Sequence, residues 1–99
     1  MAAAAELEAS GDLVEAHRLF ELVRRADPSN TDAEHAVSRV LALMKREGDQ
    51  AFIKASQFDA ADRIDDAIKS YEQAFKLLPD DDPYRKIAKQ RLDVLRAKK

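Results

Sequence analysis

The chain contains no cysteine and no tryptophan, only two glycines and three prolines, and no long apolar run. Each shortage excludes something. Without cysteine there is no disulfide framework, no thiolate zinc site and no thiol nucleophile, a pattern suited to a reducing compartment. No stretch approaches the roughly 20 apolar residues that a membrane-spanning helix needs. The opening Met1-Ala2-Ala3-Ala4-Ala5 carries no basic residue and meets Glu6 at once, unlike a secretory leader. A cytoplasmic location without membrane association is expected.

What remains is rich in helix formers. Of the 99 residues, 45% are hydrophobic and 36% charged, and Ala, Leu, Glu, Asp, Lys and Arg dominate. Strand-type runs of Val, Ile and Thr are missing, so the composition predicts an all-α fold of one modest domain. The net charge of −2 is unevenly spread: residues 85–99 hold seven basic side chains against Asp93, while the rest hold ten basic and eighteen acidic ones. Basic residues suit the C-terminal end of a last helix, where the macrodipole is negative; an anionic partner is the other reading.

Apolar spacing divides the chain into helices. Leu13, Ala16, Leu19, Phe20 and Val23 form one stripe, with Asp12 and Glu15 at its start and Pro28 as its stop. Thr31 and Glu34 have the spacing of a capping box and open a helix whose face is Ala33, Ala36, Val37, Val40, Leu41 and Met44. Ala51, Phe52, Ala55 and Phe58 continue in phase across Gly48, which fits either a helix break or one long helix over about 32–61. Ile64, Ala67, Ile68, Tyr71, Ala74, Phe75 and Leu78 form the strongest stripe, ended by Pro79. Asp82-Pro83 then starts a last helix expected to bury Tyr84, Ile87, Ala88, Leu92 and Leu95. Breaks are expected near Gly11, Pro28, Asp62 and Asp80–Asp82.

The two strongest stripes repeat each other 51 positions apart. Ala16 aligns with Ala67, Phe20 with Tyr71 and Pro28 with Pro79; Ala4 and Leu7 align with Ala55 and Phe58. A small residue, an aromatic one turn later and a terminating proline mark a helix packed closely on a neighbour and then stopped. The alignment continues through Ala36 and Ile87, Leu41 and Leu92, and Met44 and Leu95. The chain thus reads as two three-helix units, about 1–47 and about 48–99.

This motif resembles the tetratricopeptide repeat. Ala55 and Phe58 match its first helix, and Ala67, Tyr71, Ala74 and Pro79 its second. Ala4, Leu7, Gly11, Ala16, Phe20 and Pro28 fill the same places in the first copy, with Val23 where Ala is usual. The family period is about 34 residues, so a spacing of 51 makes the helix after Pro28 an extra element. The resemblance implies antiparallel helix-turn-helix pairs, five or six helices in all, with residues 83–99 as a polar-edged cap.

The resemblance also implies a function, namely holding a peptide or helical segment in a groove lined by the first helix of each pair. By position, Asp49, Phe52, Ser56 and Asp59 would face that groove; the plainer reading makes Phe52 core and the polar residues solvated. Lys45 resembles the lysine of the clamp by which some members hold a C-terminal carboxylate. Asp49 stands where that clamp needs Asn and would repel a carboxylate. Arg85 and Lys89 offer a further basic contact at helical spacing. His17 and His35 lack ligand partners at metal spacing, Asp80-Asp81-Asp82 reads as turn and cap, and Asp65-Asp66 complements a helix start. No nucleophile–base set or phosphate loop is present, so neither an enzyme, a metal nor a cofactor is expected. The leading expectation is a protein-binding scaffold. A self-associating structural module is the alternative. Nucleic-acid binding through residues 85–99 comes third, opposed by the acidic body and the want of exposed aromatics for stacking.

Overall fold

Five helices make up the fold of residues 2–99, which a computed structural model describes: α1 (Ala2–Ala9), α2 (Leu13–Ala26), α3 (Thr31–Ala60), α4 (Ile64–Leu77) and α5 (Pro83–Ala97). Among the described residues there is no strand, in keeping with the all-α expectation. The chain divides within α3 into two compact units, the first ending at Met44 and the second running Lys45–Lys99.

The units repeat each other closely in local structure. α2 and α4 start and stop 51 residues apart, and α1 and α3 end at Ala9 and Ala60 with the same offset. The turn that follows is built alike in both. The Asp12 amide donates to the Leu7 carbonyl (2.9 Å) and the Gly11 amide to that of Glu8 (3.1 Å); 51 residues on, Arg63 donates to Phe58 (2.9 Å) and Asp62 to Asp59 (3.1 Å). These paired bonds define a Schellman turn, which needs one residue in the left-handed region. Gly11 (φ 89°) and Asp62 (φ 59°) are those residues, and glycine and Asp are among the few types that tolerate the conformation.

Each unit closes around alanine and an aromatic ring. Ala16 and Ala67 are fully buried, Phe20 and Tyr71 nearly so, and Ala4 and Ala55 are buried with them. In the second unit Ala55, Ala67, Ile68, Tyr71, Ala88, Leu92 and Leu95 form one cluster, edged by Phe52, Phe58, Ile64 and Phe75. In the first, Ala4, Leu13, Ala16, Phe20, Ala33, Ala36, Val37, Val40 and Met44 are buried.

Four sequence expectations are corrected. Leu41, Tyr84 and Ile87, expected in the core, are 43%, 40% and 41% exposed. Burial on α5 is centred on Ala88, Leu92 and Leu95, and a neighbour one position away is turned about 100° around the helix, which carries Ile87 to the outside; Leu41 stands in the same relation to buried Val40. The capping box does not form. Asn30 caps α3 instead, its side-chain oxygen accepting from the Ala33 amide (3.0 Å), because a turn from Asp27 brings Asn30 to the helix mouth and leaves Thr31 as the first helical residue. Asp82 does cap α5, accepting from the Tyr84 amide (2.9 Å).

Gly48 settles the question left open by periodicity, since α3 runs unbroken through it. Glycine is used there for space. A Cβ at this position would lie 2.6 Å from Leu78 Cδ2, 2.7 Å from Leu78 Cγ and 3.3 Å from Leu77 Cβ, and both leucines are buried. Gly48→Ala should therefore lose stability. Its helix-propensity gain of about 1 kcal/mol is set against an overpacking cost of about 1–3 kcal/mol. At Gly11 an added methyl group would meet nothing within 4 Å, so Gly11→Ala should lose about 1 kcal/mol through backbone strain alone. Urea midpoints of the two variants check this; a more stable Gly48→Ala protein would remove the close approach of α3 and α4.

Candidate functional site

In the second unit the expected groove residues fall along α3, and most of them face α5. The Phe52 ring stacks on that of Tyr84, with centroids 4.4 Å apart and planes at 5°, and meets Tyr71 edge-on at 5.9 Å. Seven residues later on both helices, Asp59 takes a bidentate bond from Arg91 (2.7 and 2.8 Å) and another from the Tyr71 hydroxyl (3.0 Å). Both cross-links join positions 32 apart, so this part of α3 and α5 run in the same direction.

Phe52 and Asp59 are thus engaged within the unit, where the sequence pattern offers them as anchor and rim for a partner. Lys45 bridges Asp49 (2.6 Å) and Asp82 (2.7 Å) and lies 5.5 Å from the Tyr84 ring centroid. The hydrogen bonds to Asp49 and then Asp82 push its ammonium up to about 12. Lys45, Asp49, Asp82, Pro83 and Tyr84 surround a shallow depression of about 290 Å³. Ser56 remains partly exposed on the same side of α3 as Asp49.

Arg85 and Lys89 belong to another face. The Arg85 guanidinium lies 4.0 Å over the Phe75 ring and donates to the Phe75 carbonyl (3.3 Å), while Lys89 pairs with Asp93 (2.9 Å). With Phe75, Lys86 and Gln90 they line a depression of about 380 Å³ whose residues do not overlap those around Lys45.

The structure adds residues that sequence reasoning assigned to the core or passed over. Tyr84, Ile87, Arg91 and Val94 follow one another at spacings of 3, 4 and 3, which sets them along one face of α5. Tyr84 and Arg91 fix that face beside α3, and Ile87 and Val94 on it are 41% and 44% exposed; Ile53 on α3 is 54% exposed. The spacing was a readable signal, but it competed with the Ala88–Leu92–Leu95 stripe on the same helix. Ser56, Ile53, Tyr84, Ile87 and Val94 are thus apolar or neutral side chains on α3 and α5, with the Asp59–Arg91 pair and the Lys45–Asp49–Asp82 cluster as the charged groups there. Such a surface can recognise a partner, and it holds no nucleophile–base arrangement. Among the described residues no group of three or more His, Cys, Asp or Glu side chains could hold a metal, and no helix is long and apolar enough to cross a membrane.

An equivalent ion pair ties the first unit: Arg39 donates twice to Glu8, both at 2.7 Å. Glu8 and Asp59 are 51 apart, whereas Arg39 and Arg91 differ by 52. The third helical segment thus follows a register of 52, in which the caps Asn30 and Asp82, and the buried pairs Ala36 and Ala88, and Val40 and Leu92, also correspond.

The Arg91 hydrogen bond, with a smaller contribution from Tyr71, holds the Asp59 carboxyl below its ordinary value. Its ionised form therefore stabilises the fold fully above the unfolded value near pH 4, and that contribution disappears as pH falls through the lower folded value. With Arg91 about a third exposed, Asp59→Asn should cost about 1–2 kcal/mol at pH 7 and less at pH 2. Urea unfolding at the two pH values checks this; an equal loss at both would assign the effect to packing.

No protein-family model, curated protein or solved structure matches this chain.

Proposed function

We propose that this protein is a binding scaffold of tetratricopeptide-like build, which receives a peptide or helical segment of a partner protein on the face shared by α3 and α5 in its second unit. The observation that carries the reading is the pairing of Phe52 with Tyr84 and Asp59 with Arg91. Both link helices at an offset of 32 residues, near the family period of about 34, and both leave Ile53, Ile87 and Val94 exposed beside them. In this reading α3 and α5 are successive groove-lining helices and α4 is the helix that turns back between them. Apolar anchors supply most of the affinity, since exposed ion pairs at the rim add only about 0–1 kcal/mol each. The scaffold performs no catalytic step and needs no cofactor, and its cysteine-free composition suits a cytoplasmic module.

The exposed Ile87 and Val94 also favour a second reading, self-association through α5. Sedimentation at two protein concentrations distinguishes the two: a monomer at both supports partner binding, and a dimer abolished by Ile87→Asp supports self-association.

For a partner recovered by pull-down, Ser56→Arg and Ile87→Asp alter the face without removing a buried side chain. Each should weaken binding tenfold or more, about 1.4 kcal/mol, while the Arg85→Ala control on the other face leaves it unchanged. Unaltered binding by folded Ser56→Arg and Ile87→Asp proteins would place the site elsewhere.

A further inference from the structure

α5 opens with cations where acidic side chains are favoured. Its first turn holds no acidic residue, and Arg85 and Lys86 lie near the end that the macrodipole makes positive. The repeated framework does not call for them. In the register of 52 the counterparts of Arg85, Lys86 and Lys89 are Ala33, Glu34 and Val37, of which Ala33 and Val37 are buried. The free amides of the helix end are already met by Asp82. Its side chain accepts from the Tyr84 amide and its carbonyl from those of Arg85 and Lys86, so a ligand there is held by side chains.

Those side chains converge. Arg85, Lys86, Lys89 and Gln90 line one depression of about 380 Å³ with Phe75. Arg85 is its oriented donor, fixed by the Phe75 ring at 4.0 Å and by the bond from Nε to the Phe75 carbonyl. Its Nη2 meets the Asp80 carboxylate at 3.5 Å, longer than the roughly 2.7–2.9 Å of a charge-assisted hydrogen bond, and Asp80 is 98% exposed. Lys89 pairs closely with Asp93. Lys86 is exposed and, among the described residues, pairs with no carboxylate.

We infer that this depression is a phosphate-monoester site, which takes a phosphorylated Ser or Thr side chain of a partner protein. Three cations stand against the one close carboxylate of Asp93. That excess of two matches the charge of about −1.5 to −2 on a phosphorylated side chain at neutral pH, whose three acceptor oxygens suit several converging donors. A carboxylate brings one charge and two oxygens. A nucleotide also brings phosphate, but Arg85 covers the Phe75 ring, whose other contacts are to the core, and Tyr84 is stacked on Phe52. No aromatic ring lining the depression is open to a base. The site shares no residue with the α3–α5 face, so either can fail without the other.

The test follows backbone amide shifts of the whole chain at about 0.15 M salt, where charges more than about 8 Å apart are largely screened. The probes are acetyl-Ala-phosphoserine-Ala-amide, its Glu and Ser analogues, inorganic phosphate and adenosine monophosphate. The phosphopeptide should give saturable shifts centred on Arg85–Gln90, the Glu peptide should bind at least tenfold more weakly, and the Ser peptide should give none. Lys86→Glu should weaken the phosphopeptide at least tenfold with helix content retained. Lys98→Glu, the same charge change about 18 Å further along the helix, should leave it within twofold. Equal binding of the Glu peptide, or equal weakening by the two variants, would reduce the effect to net charge and overturn the inference. So would the absence of a saturable response, or tighter binding of inorganic phosphate or adenosine monophosphate, which would make a free anion or a nucleotide the occupant. Failure here with partner binding retained at Ser56 and Ile87 would remove this site and leave the scaffold reading standing.

Discussion

Everything in the two units depends on alanines that let helices approach closely. Ala16 and Ala67 are completely buried, and so, within 1%, are Ala4 and Ala55. With nothing beyond Cβ at the contact, interhelical separation can fall to the short end of its range. The aromatic one turn later then reaches across the neighbouring helix, as Tyr71 does to Phe52 and Asp59. The left-handed residue at Gly11 or Asp62 reverses the chain so that the two helices meet there. Small contact, sharp turn and reaching aromatic recur together at one spacing, so each supports the others as a unit of construction.

Much of this was legible before the structure. Pro28 and Pro79 marked the ends of α2 and α4 to within a residue or two, and the repeat of 51 anticipated turns at Gly11 and Asp62. Those features are local or periodic, and sequence carries such information directly. The failures share a physical origin in tertiary context. Asn30 displaced the Thr31–Glu34 box because the preceding turn decided which residue reached the free amides. Periodicity marked Ile87 and Leu41 as apolar but could not say how each helix would be rotated. Gly48 looked like a possible break, yet its role is set by Leu78, thirty residues away.

The candidate surface was half legible. The part of α3 holding Asp49, Phe52, Ser56 and Asp59 was identified, but not the side chains of α5 that engage it. Arg91 and Tyr84 are 32 residues from their partners, and no spacing rule within one helix could reveal such pairs. Their engagement changes the functional account. Phe52 and Asp59 are engaged with α5, whereas Ile53, Ile87 and Val94 are exposed.

The central claim is that one close-packed helix pair is used twice, and introducing a larger side chain at its contact tests this most directly. Denaturant midpoints of Ala67→Leu and Ala16→Leu should both fall, each by the overpacking cost of about 1–3 kcal/mol, with helix content retained. If either variant unfolds at the parent midpoint, that alanine is not at a close helix contact, and the two units do not share the packing described.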